Sequence, residues 1–527
     1  MDAGVVGIDA LPGEILVEVF RGLRAHSLAR CRCVCALWRA LVDGHGLLRP
    51  HALPPRAFPG FFTNARVKPW RPGPGFLPPP HPHPRAPGGA DTDRLAFLRP
   101  HLPCGGAEAA VQHHCNGLLL CFQDYYVGRP SAGFVCNPTT ERWARLPPPP
   151  TWWPRERDGL FLAFDPAVSL EYEVLLLPVP PPRQGDADAG LPAVAPPRRG
   201  HVTLGMFVPE SFGRKQQLPD EGKTLLLSVF SSAHGRWTKR LLAPGRCAPA
   251  RLYDRVMRPL RWWVRTWRSA LYCRGSMYAH CEKRVLAVLR VSEGTYDMVK
   301  LPPDHADAVE AEHAVEAEHA LSGLPRDSIF PSTEDGVLLR YASVDDGFRV
   351  KVWALRESPD GGGQLEWTLT HDKDLAAHAR MLDMLTRRAP SSNCGPLAAE
   401  EGKGGGQRKS VWFAEDDGGE EAGGGDVGGG CSARWNWDDA GLTDVEPGED
   451  DPLLNVGAGA PSPFTILGCH PSKEVIFLAA GALHVVVAYH VSSGKVQHLG
   501  RIASLGDGDR VQAAFAYRPC IVDALPS

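Results

Sequence analysis

Charge of either sign is scarcely in excess in this chain: 57 lysines and arginines face 60 aspartates and glutamates, a formal net charge of −3. No chain-wide basic field exists to hold nucleic acid or an anionic membrane, and neither is expected as a partner. Long apolar runs are also missing. The longest, residues 475–489, is interrupted by His484 and is too short to span a bilayer. The opening residues lack the basic start, apolar run and small-residue cleavage site of a secretory leader. A soluble, intracellular protein is expected, with cytoplasm and nucleus both open. The 14 cysteines follow no regular spacing, and the proline in Asn137-Pro138-Thr139 blocks that glycosylation triplet. Reduced core thiols are expected rather than a disulfide framework.

Catalytic signatures are absent as well. There is no zinc-protease helix and no Gly-x-Ser-x-Gly elbow. "EGKT" (221–224) resembles the end of a phosphate-binding loop, but Gln217 stands where that loop needs glycine, and the segment leads into a strand. In "HHCNG", His113 and His114 would point to opposite faces of a strand and could not easily line one metal site. "RCRCVCALW" (30–38) places Cys31, Cys33 and Cys35 at alternate positions. In a helix such residues diverge by about 200°, so one ion could not be held by all three, and they read as small apolar packers. No catalytic residue, metal or cofactor is expected.

What is present is organised. The length suggests about two to four structural units. Residues 8–48 carry Leu11, Ile15, Leu16, Val19, Phe20 and Leu23 at helical spacing, with Pro12 suited to a first turn. A second helix is expected from a cap near Ser27, with Val34, Leu37, Trp38 and Leu41 on one side. So small a helical module buries little apolar surface alone and needs a partner. Residues 49–93 are proline-rich and read as a spacer, with Phe61 and Phe62 available to dock onto the next domain.

From residue 94 onward the periodicity shifts to short β-like runs bounded by turns, such as "GLLLCF" (117–122), "VLAVLRVS" (285–292) and "LHVVVAYHV" (483–491). Hairpin units repeat loosely to residue 527, and such repetition predicts a radial β-architecture that closes on itself, a β-propeller. Two segments look inserted: the duplication "AVEAEHAVEAEH" (308–319) and the Gly/acid-rich residues 391–430, whose composition is that of disorder. Residues 372–385 read as one exposed helix. The most functional-looking patch is "RLYDRVMRPLRWWVRTWRSALYCR" (251–274). It is either a hairpin with core tryptophans and solvated arginines, or a surface for an acidic protein segment or single-stranded nucleic acid. Arg258, Arg261, Trp262 and Arg265 are its candidate target-binding residues.

"IDALPGEILVEVFRGLRAHSLARCRCVCALWRALV" resembles an F-box: Leu11-Pro12, Glu14 to Leu16, the Leu-Ala-Arg leading into "RCVCALWRALV", and Trp38 follow that family's order and spacing. The resemblance implies docking on the Skp adaptor of a cullin-based ubiquitin ligase. It assigns that role to Leu11, Pro12, Ile15, Leu16, Val19, Phe20, Leu23, Val34, Cys35 and Trp38. "HHCNGLLLC", "VCNPTTERWARLPP", "ALYCRGSMYAHC" and "ILGCHPSKEVIFLAAGALHVVVAYHVSSGKVQHLG" are similar to the domain that comes after the F-box in many grass F-box proteins. That domain is propeller-like and captures targets. The expectation is therefore an α+β multidomain chain, with a small helical F-box at 8–48, a Pro-rich linker at 49–93 and a mainly β, propeller-like domain at 94–527 with disordered insertions. It would be a non-catalytic target receptor whose partners are the Skp adaptor, the cullin scaffold and an unknown target protein. A scaffold acting outside the ligase and a ligand- or glycan-binding propeller are the alternatives.

Overall fold

The computed structural model describes residues 11–23, 25–49, 52–53, 58–67, 71–77, 94–102, 109–123, 132–149, 159–178, 224–248, 266–281, 284–302, 324–345, 347–358, 363–387, 462–480, 485–501, 510–522 and 524–525. Three short helices come first: α1 (Gly13–Arg21), α2 (Ala25–Arg32) and α3 (Ala36–Gly44). None is long enough to be stable in isolation, so packing holds them. Pro12 stands just before α1, where its missing N–H is no loss, and its carbonyl accepts the Ile15 and Leu16 amides. Glu14 in the first turn and Arg21 in the last complement the helix dipole.

The single second helix expected from the sequence is broken in two. Ser27 lies inside α2 rather than capping it, and the chain turns at residues 33–35 before α3 begins. Cys35 caps α3, its sulfur accepting the Trp38 amide at 3.4 Å. The cysteine triplet thus straddles a helix junction. Cys31 packs against the module core, and Cys33 and Cys35 are exposed.

The β domain starts earlier than the composition suggests. Within the proline-rich stretch, β1 (Gly60–Val67) and β2 (Arg71–Leu77) form a hairpin, and Phe61 and Phe62 are buried. Five four-stranded antiparallel units come next. The first is β3 (Ala109–Cys115), β4 (Leu118–Gln123), β5 (Ala132–Asn137) and β6 (Arg142–Leu146). The second is β7 (Leu160–Ala163), β8 (Glu173–Leu176), β9 (Leu225–Ser231) and β10 (Arg236–Pro244). The third comprises β11 (Trp267–Cys273), β12 (Ser276–Cys281), β13 (Val285–Arg290) and β14 (Thr295–Lys300). The fourth comprises β15 (Asp327–Phe330), β16 (Val337–Asp345), β17 (Arg349–Glu357) and β18 (Leu365–Asp374). The fifth is β19 (Phe464–Cys469), β20 (Val475–Ala480), β21 (Val485–His490) and β22 (Lys495–Arg501). A short parallel pairing of Ala243 and Pro244 with Thr295 and Tyr296 joins the second and third units into one eight-stranded sheet.

The last strand, β23 (Arg510–Tyr517), returns to pair antiparallel with β1, giving a three-stranded sheet in the order β2-β1-β23. The two ends of the domain are thereby laced together, and a propeller-like ring results. Apolar clusters fill the seams between successive units around the ring. Phe62, Phe76, Leu119 and Phe134 fill the seam between the closing sheet and the first unit. Phe61, Phe477, Ala488 and Val511 fill the one between the fifth unit and the closing sheet.

Strand composition follows position in the ring. Central strands such as β4, β5, β20 and β21 are buried along their whole length, because neighbouring units cover both faces. They therefore read as unbroken apolar runs rather than as alternation. Outermost strands β10 and β18 are largely exposed and polar. The helix expected to be exposed at 372–385 differs from that reading. Residues 372–374 end β18, and α4 (Ala376–Arg387) comes after it, burying Ala379 and Leu382 beside Leu375 in the seam between the fourth and fifth units. Among the described residues no helix is long and apolar enough to cross a membrane. Both insertions, 308–319 and 391–430, lie outside the described residues.

Candidate docking surface on the helical module

Leu16, Val17, Phe20, Leu28, Trp38, Val42 and Leu47 form the module's own core, with Phe20 and Trp38 meeting edge to face at 5.0 Å between ring centroids. Arg32 pairs with Asp43 at 2.7 Å and ties the end of α2 to α3. The indole N–H of Trp38 is shielded from solvent and finds no acceptor among the described residues. Leu48 packs against both this core and the seam between the first two β units, so the module is seated on the ring rather than tethered to it. Beyond it, Ile521 donates its amide to the Ala52 carbonyl at 3.0 Å, and Arg518 reaches the Leu53 carbonyl at 3.4 Å.

The residues that sequence reasoning assigned to docking divide into two groups. Leu16 is 0 % exposed, and Phe20 and Trp38 are also buried, so these three support the surface from inside. A residue sealed in its own core offers a partner no apolar area to bury. Leu23 is half-buried against the same core. Leu11, Pro12, Ile15, Val19, Val34 and Cys35 lie on the outside. Ile15 is 48 % and Val34 62 % exposed, and what marks them is that several large apolar side chains are exposed together on one small module. Ile15 and Val19, four residues apart, share one side of α1, and exposed Leu11 stands just before the helix.

Leu37, in the first turn of α3, is also exposed and belongs with Val34, though it was not among the candidate docking residues. The signal that could have found it is its place in the sequence. Once Cys35 is recognised as a cap, Leu37 and Trp38 are adjacent first-turn residues pointing about 100° apart, and Trp38 takes the inner side.

The basic-aromatic residues Arg258, Arg261, Trp262 and Arg265 lie outside the described residues. At the end of that stretch, Trp267 is buried and its indole donates to the Pro178 carbonyl at 2.9 Å, while Arg268 pairs with Asp327 at 3.1 Å. His113 is buried and doubly hydrogen-bonded to protein, and no group of three His, Cys, Asp or Glu among the described residues is arranged to hold a metal. Burial pushes the Cys115 thiol up to about 12 and the Cys136 thiol well above the usual range, so neither is a reactive thiolate.

Residues 8–49 match the family described as F-box-like, and the chain carries an F-box-like domain there. No curated protein matches the chain. Among solved structures the chain is similar to a prolyl endopeptidase at 9 % identity, over 96 % of this chain and 56 % of that one, with a TM-score of 0.28. The chain thus spans little more than half the length of that structure, and a likeness so distant carries no argument about fold or catalysis.

Proposed function

We propose that this protein is a target-receptor subunit of a cullin-based ubiquitin ligase, with its F-box docking on the Skp adaptor and its β domain capturing a protein to be modified. The observation that carries the reading is the outward apolar set on an F-box-like domain: Leu11, Ile15, Val19, Val34 and Leu37. Burying such a set against an adaptor is favourable by about 25 cal/mol for each Å² removed from water. The receptor performs no bond chemistry. Holding target and ligase together raises the target's effective concentration near the activated ubiquitin, and a firmly seated module preserves their relative orientation.

The test is capture of purified Skp adaptor by the full chain. Ile15→Asp and Val34→Asp each place a charge on the outer surface and are expected to abolish capture while the fold survives. Capture retained by both variants would overturn the assignment. A working receptor also brings down the cullin, and its target's ubiquitination falls when residues 8–48 are removed. A scaffold acting outside the ligase does neither.

A further inference from the structure

The chain before β1 and the chain after β23 leave the closing sheet at the same end, because Gly60 stands opposite Tyr517. They stay together beyond it. Ile521 donates its amide to the Ala52 carbonyl at 3.0 Å, and the Arg518 guanidinium donates to the Leu53 carbonyl at 3.4 Å. Residues 518–522 thus run alongside the connector that carries the F-box into the ring.

The first unit grips the same residues from its own side. Asn137 ends β5 and is 0 % exposed. Its carboxamide donates to the Cys520 carbonyl at 3.0 Å and to the Val522 carbonyl at 3.3 Å, while its oxygen accepts the Thr139 amide at 3.0 Å. Arg142, at the start of β6, donates to the Leu525 carbonyl at 3.5 Å, and the Tyr517 hydroxyl meets that of Thr139 at 2.9 Å. Buried carbonyls outside a strand ladder need such donors. Cys520, Val522 and Leu525 are themselves buried, joining Ala52, Leu118 and Phe164 in the seam between the first two units. Leu48 packs on that cluster and on the core of the helical module.

This arrangement makes seating depend on closure. Residues 518–522 reach Asn137 on one side and Ala52 on the other only while β23 is paired with β1, so parting that pair would take the seat apart as well. A bare linker would leave the module free to turn, whereas a segment held by both the ring and the connector allows it one position. The module is too small to be very stable alone, and the contacts made through Leu48 and Ala52 supply part of what it lacks.

We propose that residues 518–522 and 524–525 form a strap that fixes the orientation of the F-box on the ring, with Asn137 as its principal positioning residue and ring closure as its condition. A target held on the ring then faces the ligase at one angle, which favours transfer between groups that must meet in a fixed geometry. That consequence rests on the receptor reading above, whereas the strap itself does not.

The experiment is amide hydrogen exchange on the full chain, read segment by segment by mass spectrometry. Asn137→Asp keeps an acceptor for the Thr139 amide but sets a charged acceptor against two carbonyls. Ile521→Pro removes the amide that holds Ala52 and leaves Asn137 in place, so it carries the test should Asn137→Asp fail to fold. Each is expected to speed exchange across α1 and α3 about tenfold. Arg290→Met breaks the Arg290–Asp297 pair in the third unit, away from the seam that the strap fills, and is expected to leave α1 and α3 as protected as in the parent protein. Faster exchange confined to the turn between β5 and β6 overturns the proposal, because Asn137 then serves its own unit alone. Equal acceleration by Arg290→Met also overturns it, because the F-box then only tracks the stability of the whole ring. No adaptor takes part, so a chain that captures no adaptor counts against the receptor reading, and the strap is judged on exchange.

Discussion

Leu162 donates its backbone amide to Nδ1 of His113 at 3.0 Å, which fixes the tautomer of a histidine three strands depend on. With Nδ1 accepting, Nε2 carries the proton and donates to the Ala270 carbonyl at 2.9 Å. One side chain on β3 thereby ties β7 and β11 at the centre of the ring, and only in its neutral form.

Acid should therefore loosen the ring. Burial lowers the His113 pKa from 6.5 to about 4, against a smaller opposing effect of the Ala270 hydrogen bond. Because the folded value is depressed, its contribution is complete above pH 6.5 and is lost as pH falls from 6.5 toward 4, up to about 3 kcal/mol. His114 and His470, both lowered to about 3 chiefly by burial, act in the same direction. Replacing His113 by Gln should lower the melting temperature at pH 8 and flatten its decline between pH 6.5 and 4. A slope identical to that of the parent protein would remove His113 from this role.

Gly117 marks a second constraint, where the ring meets the segment that seats the F-box. Its φ is +91°, and an added Cβ would stand 2.3 Å from the Cys520 Cβ and 2.5 Å from the Cys520 nitrogen. Backbone, not a flexible side chain, would have to move. Gly117→Ala should cost about 2–4 kcal/mol in urea unfolding. Gly235→Ala is the control: its φ is +63° with open space around it, and only the left-handed backbone penalty of about 1 kcal/mol is expected. Similar costs at the two sites would show that the Cys520 contact does not constrain the fold.

These sites show what the sequence could and could not disclose. The runs containing β4, β13 and β21 are legible because strands covered on both faces must be apolar throughout. The pairing of Phe62 with Phe515 is not, since ring closure joins segments far apart in the chain and proline obscures the strands at 60–77. On the F-box, helical periodicity correctly marked Leu16 and Ile15 as apolar. It could not tell the side facing the module's core from the side facing outward, because the amphipathic pattern is the same until the neighbouring helix is placed. The Cys35 cap escaped for a different reason: thiols are uncommon caps, and the Ser27 that resembled one lies mid-helix.

That division makes the F-box testable residue by residue. Trp38→Ala and Leu16→Asp act on the interior, and Trp38→Ala should cost about 3–5 kcal/mol, enough to unfold so small a module. Both should lose adaptor capture together with helical circular dichroism. Ile15→Asp and Leu37→Asp should lose capture with the helical signal intact. If the interior variants kept their helices and the surface variants did not, the assignment of inside and outside would be reversed.

The seam between the fourth and fifth units offers the last test. Arg340, on β16, is 7 % exposed and reaches two carboxylates, Glu334 at 2.8 Å within its own unit and Glu474 at 2.7 Å in the turn before β20. Losing Arg340 takes from Glu474 its guanidinium partner, while Glu334 keeps Arg356, whereas losing Glu474 leaves the Arg340 guanidinium with Glu334. The costs should therefore be unequal. Arg340→Ala is expected to destabilise by about 3 kcal/mol and Glu474→Ala by about 1 kcal/mol in urea unfolding, the latter reduced because Glu474 retains solvent contact. The double variant should cost less than the two single ones added, since the acid is no longer needed once its cation is gone. Strict additivity would show that the Arg340–Glu474 contact contributes nothing, and that the apolar cluster of Phe464, Ile476 and Leu478 alone holds this seam.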